Sequence, residues 1–449
     1  MISRPVQDRS RVVKRNRAFM ALLALCFVSL ACSLATPFSP SPTQVPTLDA
    51  PKGRIAYVGN DGNIYTTDWD GKHSTAITQD ADLNPAGGQV AIYQYPTWAP
   101  DGQHLAFVRF SSSQSGPVAS LFSALSDGKK SVITFNSQNF QPFYISWSPN
   151  SQIITFLGND SSGAMAQYLV AASGGDSKLI SSGQPYYWDW SPDSQRLIVH
   201  IGGASSDNPD ARLALIGLDG SLQEKELDLK PGLFEAPAWS PAGDLLALAT
   251  QNAKGQDELI LAGVDGKVKQ VLTSLDGPVA FAWSPLGTQL AYAVFNHSEA
   301  NPTLHLIILD STHPDLHNQV AQGNLVAFFW SPDGQKIAYF IRGNRKPSAS
   351  ALQTIAHASV SNGLVVHVYD RISGSSREVA AFTPTDSFQQ ILPFYSQYQR
   401  SGTLWSPDSR NLVLSGVDST GENAIYTVGA DGSQFQKIAA GNLAFWSWK

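Results

Sequence analysis

The side chains that could do chemistry are few and scattered along this 449-residue chain, which has nine histidines and two cysteines. The tightest histidine group is His297, His305, His313 and His317. His313 and His317 stand four apart, the spacing that places two metal ligands on one helix face. Pro314 lies between them, however, and predicts a loop. The run Asn60-Asp61-Gly62-Asn63 carries oxygen donors but lacks the later acidic ligand of a calcium loop, so it is read as a hairpin turn. No Gly-x-Ser-x-Gly elbow and no Gly-rich phosphate loop occurs in the sequence. These residues predict no catalytic side chain, no metal and no cofactor, and an enzyme is the less favoured reading.

The cysteines point elsewhere. Six of the 30 basic residues (Arg4, Arg9, Arg11, Lys14, Arg15 and Arg17) precede an apolar run from Ala18 to Ala31. A basic segment followed by a short apolar run is the shape of a secretory signal. The run is too short to span a bilayer comfortably, which takes about 20 residues; an uncleaved signal anchor is the alternative. It ends at Ser29-Leu30-Ala31-Cys32, which resembles a bacterial lipobox, and the resemblance implies lipid attachment at Cys32. Residues 33–51 are rich in Pro, Ser and Thr and predict a semi-extended tether. The expected organisation is a signal peptide over 1–31, a tether over 32–52 and a folded part over 53–449. Cys26 falls within the signal, so the folded part has no cysteine and no disulfide to form.

Charge narrows the partners. From Cys32 onward the chain holds 24 basic and 35 acidic residues. Such a balance excludes a basic footprint for nucleic acid, and leaves the lipid anchor as the expected route to a membrane.

The elements that would position any site come from a repeat. Trp-(Ser/Ala)-Pro occurs at Trp98, Trp147, Trp190, Trp239, Trp283, Trp330 and Trp405, at intervals of 49, 43, 49, 44, 47 and 75 residues. All but the last interval match the ~40–50 residues of a four-stranded propeller blade. Seven residues after each Trp begins a short apolar triplet, as in Leu105-Ala106-Phe107 and Ile337-Ala338-Tyr339. A strand into Trp, a Ser-Pro-Asp-Gly turn and a buried strand make a hairpin. The position three after Trp is Asp101, Asn150, Asp193, Ala242, Leu286, Asp333 and Asp408. Tolerance of Ala and Leu there marks a turn position rather than a ligand. Arg54-Ile55-Ala56-Tyr57 matches the second strand without a Trp before it, and Asn442 to Ser447 matches a first strand without a second. The two halves predict that the C-terminal strand pairs with the N-terminal strands and closes a ring. The expected fold is an all-β single β-propeller of eight four-stranded blades, with seven as the alternative.

The repeat, exemplified by Trp330-Ser331-Pro332-Asp333-Gly334-Gln335-Lys336-Ile337-Ala338-Tyr339, resembles that of the TolB-like, or WD40-like, propellers of bacteria. The resemblance implies exported binding and scaffolding proteins. The same group includes propellers joined to serine peptidases and a few sugar-acid lyases, and the fold alone does not choose among them.

Partner-binding loops are sought where the chain exceeds the repeat. The 75-residue interval holds Arg345 and Lys346, and further on Phe394, Tyr395, Tyr398 and Arg400. Aromatics with Arg are the residue types of binding hot spots. Removing 344–358 and 388–400 is expected to leave folding intact and abolish capture. The leading expectation is a monomeric, extracytoplasmic propeller on the bacterial cell membrane or envelope that binds a protein, peptide or glycan. A polysaccharide lyase or hydrolase and a structural subunit of an envelope complex are the alternatives.

Overall fold

The computed structural model describes residues 52–85, 89–113, 116–203, 209–296, 303–343 and 363–449. Cys32, Arg345, Lys346 and His297 lie outside the described residues, as do the signal and nearly all of the tether.

The repeat sets the strand ends. Six strands terminate on the repeat Trp: Ala91–Trp98, Phe140–Trp147, Tyr186–Trp190, Ala238–Trp239, Val279–Trp283 and Leu325–Trp330. Each pairs antiparallel with the following strand so that Trp faces the residue seven later, as in Trp98↔Leu105 and Trp330↔Ile337. All seven apolar triplets are buried.

The turn between these strands consumes its own polar groups. Ser331 Oγ donates to Asp333 Oδ1 at 2.6 Å, and Asp333 Oδ1 accepts from the Gln335 N–H at 3.0 Å. The fourth residue after Trp is Gly or Ser and sits at positive φ, +62° for Gly334 and +62° for Ser194. Left-handed backbone is costly for a residue with a Cβ. Wherever Ser stands there, its hydroxyl accepts a bond from the preceding unit's turn: Asp101 N–H to Ser151 at 3.0 Å, Asn150 N–H to Ser194 at 3.1 Å, Asp333 N–H to Ser409 at 3.0 Å.

The indoles join neighbouring units. Trp147 Nε1 donates to Thr97 O, Trp283 to Ala238 O, Trp330 to Ala282 O and Trp405 to Phe329 O, at 3.1 to 3.2 Å. In each case the acceptor is the carbonyl just before the previous repeat Trp. At these four junctions one bond ties successive sheets while the ring fills the space between them; the buried indoles of Trp190 and Trp239 make no such bond among the described residues.

The strands form seven sheets, six of four strands and one of six. The expected eight separate blades are therefore corrected to seven, for two physical reasons. The strand Gln436–Trp446 runs unbroken between two neighbours, pairing with Asn423–Gly429 through residues 436–440 and with Ile55–Gly59 through residues 441–446. The units on either side of it merge into the six-stranded sheet. The first strand of the Trp405 unit is also reduced to isolated bridges, Thr403↔Trp446 and Trp405↔Leu412.

Ring closure is as the sequence implies. Ile55 faces Trp446 and Tyr57 faces Ala444. Ser447 N–H donates to Arg54 O at 2.7 Å, and Trp98 Nε1 donates to Phe445 O at 3.2 Å.

His313 and His317 belong to the strand His313–Gly323, not to a loop. This is the outermost strand of its sheet, where Pro314 is tolerated because one edge needs no hydrogen bonds. The register shifts between them: Asp310 faces His313 and Leu309 faces His317, so the two histidines stand opposite adjacent residues of the neighbouring strand. Among the described residues no group of three or more His, Cys, Asp or Glu side chains could hold an ion.

Candidate functional site

The extra length before Trp405 folds into a short helical segment. Thr385 caps the helix Asp386–Ile391, its hydroxyl accepting from the Phe388 N–H. A 3-10 turn, Leu392–Phe394, and a second short helix, Tyr395–Tyr398, follow. The segment contacts the strands Val279–Trp283, Leu325–Trp330 and Gln436–Trp446, and reaches residues of Phe140–Trp147 and Tyr186–Trp190 by hydrogen bonds. Except for the closing strand Gln436–Trp446, these are all first strands of their sheets. The segment therefore lies across the ring of inner strands as a plug.

Its anchors are specific. Gln397 is buried, and its side-chain amide accepts from Trp188 N–H and donates to Trp188 O, both at 3.0 Å. One side chain thus stands in for a neighbouring strand along the inner edge of Tyr186–Trp190. Tyr144 donates its hydroxyl to Gln397 O at 2.8 Å. Arg400 Nη1 lies 2.5 Å from Asp189 Oδ2, and Asp189 also accepts from Trp239 N–H at 2.8 Å and Trp190 N–H at 3.0 Å. Arg400 Nε and Nη2 are buried without a partner. Tyr395 is buried edge-on against Phe328, and Phe388 packs against Phe340 and Phe382.

Burial perturbs three ionisable groups, two of them against the plug. Burial pushes the Glu235 carboxyl up to about 7, against the opposing pull of the Ser396 hydroxyl, the Ala236 N–H and the Arg400 charge. It pushes His200 down to about 4, partly offset by the hydrogen bond to Glu235 O. Asp189 is raised by burial, which outweighs Arg400 and its two backbone donors.

Beside the plug opens a pocket of about 260 Å³. Its floor and walls come from the hairpin around Asn60 and Gly62, the strand Ala91–Trp98, the plug and the closing strand at Asn442 and Leu443. Four planar amides line it, Asn60, Gln94, Gln390 and Asn442. Tyr93, Tyr95, Phe394 and Tyr398 supply aromatic surface. Among the described residues no Asp, Glu, Lys, Arg or His contributes to the lining. The Ala91–Trp98 strand bulges between Gln94 and Thr97, and Tyr95 there has φ of +59°. A bulky side chain held in that region is strained, and such strain gathers at ligand clamps. Asp61 is occupied in its hairpin, accepting from Asn63 Nδ2 at 2.9 Å and from the Tyr65 hydroxyl at 2.6 Å.

The plug brings together four of the residues expected to meet a partner and divides them. Tyr395 and Arg400 face inward as anchors, whereas Phe394, 49% exposed, and Tyr398 line the pocket. Segment 388–400 is not a removable loop, because Phe388, Leu392 and Gln397 are all buried in the ring. Sequence reading missed Gln397, Ser396, Asp189 and Glu235. Their partners lie up to 253 residues away along the chain, and no local pattern announces them.

No protein-family model matches the chain, and no curated protein matches it by sequence. Solved structures do match in shape. A prolyl endopeptidase is similar with a TM-score of 0.52 and 10% identity, covering 78% of this chain and 49% of its own. An oligogalacturonate lyase in complex with manganese has a TM-score of 0.50 and 13% identity, covering 84% of this chain and 98% of its own. TolB from Acinetobacter baumannii has a TM-score of 0.38 and 13% identity, covering 77% and 83%. The likenesses to the endopeptidase and the lyase, together with the seven sheets closed in a ring, make the chain a β-propeller.

Proposed function

We propose that this chain is an extracytoplasmic binding propeller, held to a membrane through lipid on Cys32, that captures its ligand in the pocket between the plug and the closing sheet. The observation that carries the reading is the composition of that pocket. It is concave, joins aromatic surface to four amides and, among the described residues, has no charged side chain in its lining. Pockets that bind small groups pair apolar walls with a few placed polar groups in this way. Asp189, Arg400, Glu235 and His200 are buried in the fold; Arg400 pairs with Asp189 and seats the plug. Among the described residues no helix is long and apolar enough to cross a membrane. The acidic balance of the folded part argues against nucleic acid as the partner.

Hydrogen exchange tests the site. The full chain is incubated with pools of uncharged oligosaccharides and of uncharged peptides. Protection confined to residues 58–62, 92–95 and 387–398 supports the reading, and protection elsewhere, or none, contradicts it. For the tether, Cys32→Ser should release the protein from the membrane fraction; retention would rule out the lipid anchor.

A further inference from the structure

We infer that the pocket takes one uncharged pyranose ring of an oligosaccharide. The inference rests on the pocket being the binding site and adds the ligand's class.

The chemistry of the lining selects among ligands. At about 260 Å³ the pocket falls just below the roughly 300–1,000 Å³ of sites for drug-sized molecules, which suits one ring rather than a long chain. Gln94 and Gln390 make no side-chain hydrogen bond among the described residues, so two amides, each with donors and an acceptor, stand open. A planar amide offers N–H and C=O side by side, matching a pair of adjacent hydroxyls that each donate and accept. Phe394 is the one aromatic among the large exposed hydrophobic side chains of the described residues, and with Tyr95 and Tyr398 it presents ring surface to the C–H face of a sugar.

Three other ligand classes fit less well. A uronic acid or phosphate would call for Arg or Lys, and among the described residues the lining has neither. An acyl chain would strip water from the two open amides, Gln94 and Gln390, and return no hydrogen bond; Asn60 and Asn442 are already bonded within the protein. An extended peptide docks by adding to an open strand edge. Here the backbone at the mouth is already paired, Tyr93 N–H to Gly62 O at 2.9 Å and Gly62 N–H to Gly59 O at 3.0 Å.

The test is calorimetric titration of the full chain with uncharged hexasaccharides of glucose, xylose, mannose and N-acetylglucosamine, and with hexagalacturonate. At least one uncharged sugar should bind saturably. Gln94→Ala, Gln390→Ala and Phe394→Ala should each weaken it roughly three- to tenfold, with melting temperature unchanged for the two exposed positions, Gln390 and Phe394. Binding of hexagalacturonate as tight as that of any uncharged sugar would overturn the inference, as would sugar binding that survives all three substitutions. If no sugar binds but uncharged peptides still protect residues 387–398 from exchange, the sugar class is wrong and the pocket stands. If neither protects them, both readings fall.

Discussion

Arg400 Nη1 lies 2.5 Å from Asp189 Oδ2 across 211 residues of chain, joining the end of the plug to the inner strand Tyr186–Trp190. Both side chains are only 14% exposed. Removing one partner of such a pair leaves a buried charge uncompensated, at about 3–5 kcal/mol. Arg400→Ala should therefore lower unfolding stability by about that amount in urea titration. Asp189→Ala also removes the acceptor of Trp190 N–H and Trp239 N–H, so the pair is read from the full cycle: the double variant should lose less than the sum of the two single losses. Additive losses would show that the pair is not coupled.

Gln397→Ala should loosen the plug. It removes the partners of Trp188 N–H and Trp188 O. Each unsatisfied buried group costs about 1–3 kcal/mol, so a loss of about 2–6 kcal/mol is expected. Faster exchange of the Trp188 amide would locate it; an unchanged rate would place the support elsewhere.

Glu235 and His200 give a pH signature. Glu235 has a folded pKa of about 7 against an ordinary 4.5. Between those values the unfolded state is ionised and the folded state holds its proton, so this group's contribution is complete below pH 4.5 and is lost as pH rises through 7. His200, at about 4 against 6.5, works in the opposite sense: its contribution is complete above 6.5 and is lost as pH falls through 4. From pH 4.5 to 6.5 the two slopes cancel. Glu235→Gln should expose the histidine slope, a rise of about 1.4 kcal/mol per pH unit over that window relative to the parent chain. Parallel curves for parent and variant would contradict the assignment.

The serines at positive φ separate strain from hydrogen bonding. Ser194 has φ of +62° and accepts from Asn150 N–H. Ser194→Gly loses the bond but relieves the backbone and should be near neutral. Ser194→Ala loses the bond and keeps the strain, and should cost about 1–2 kcal/mol. Equal melting temperatures for the two variants would argue against the trade.

Much of the architecture is legible in the sequence because its determinants are local. The Trp-x-Pro turn, the seven-residue register from Trp to the apolar triplet and the split unit shared by Ile55 and Trp446 all act within one hairpin or one strand pair. The blade count is not local. It depends on Gln436–Trp446 serving two neighbours at once, and on the plug leaving Thr403 and Trp405 with single bridges. The plug's start is signalled by Thr385 before Asp386, a helix cap followed by an acid. Its seating is not signalled, since Gln397 finds Trp188 and Tyr144 only in the closed ring. Phe394, Tyr395, Tyr398 and Arg400 were recognisable as a group by type, but type alone does not tell an inward anchor from an outward contact.

The most direct test of the account is to fill the pocket and leave the rest of the surface alone. Gln390→Trp blocks the opening, and Ile372→Trp, at a side chain 79% exposed and outside the pocket lining, serves as the control. Titrated with the uncharged hexasaccharide that binds best, the control should keep the parent affinity and Gln390→Trp should lose at least tenfold. Equal affinity in the two variants would contradict the assignment of the pocket.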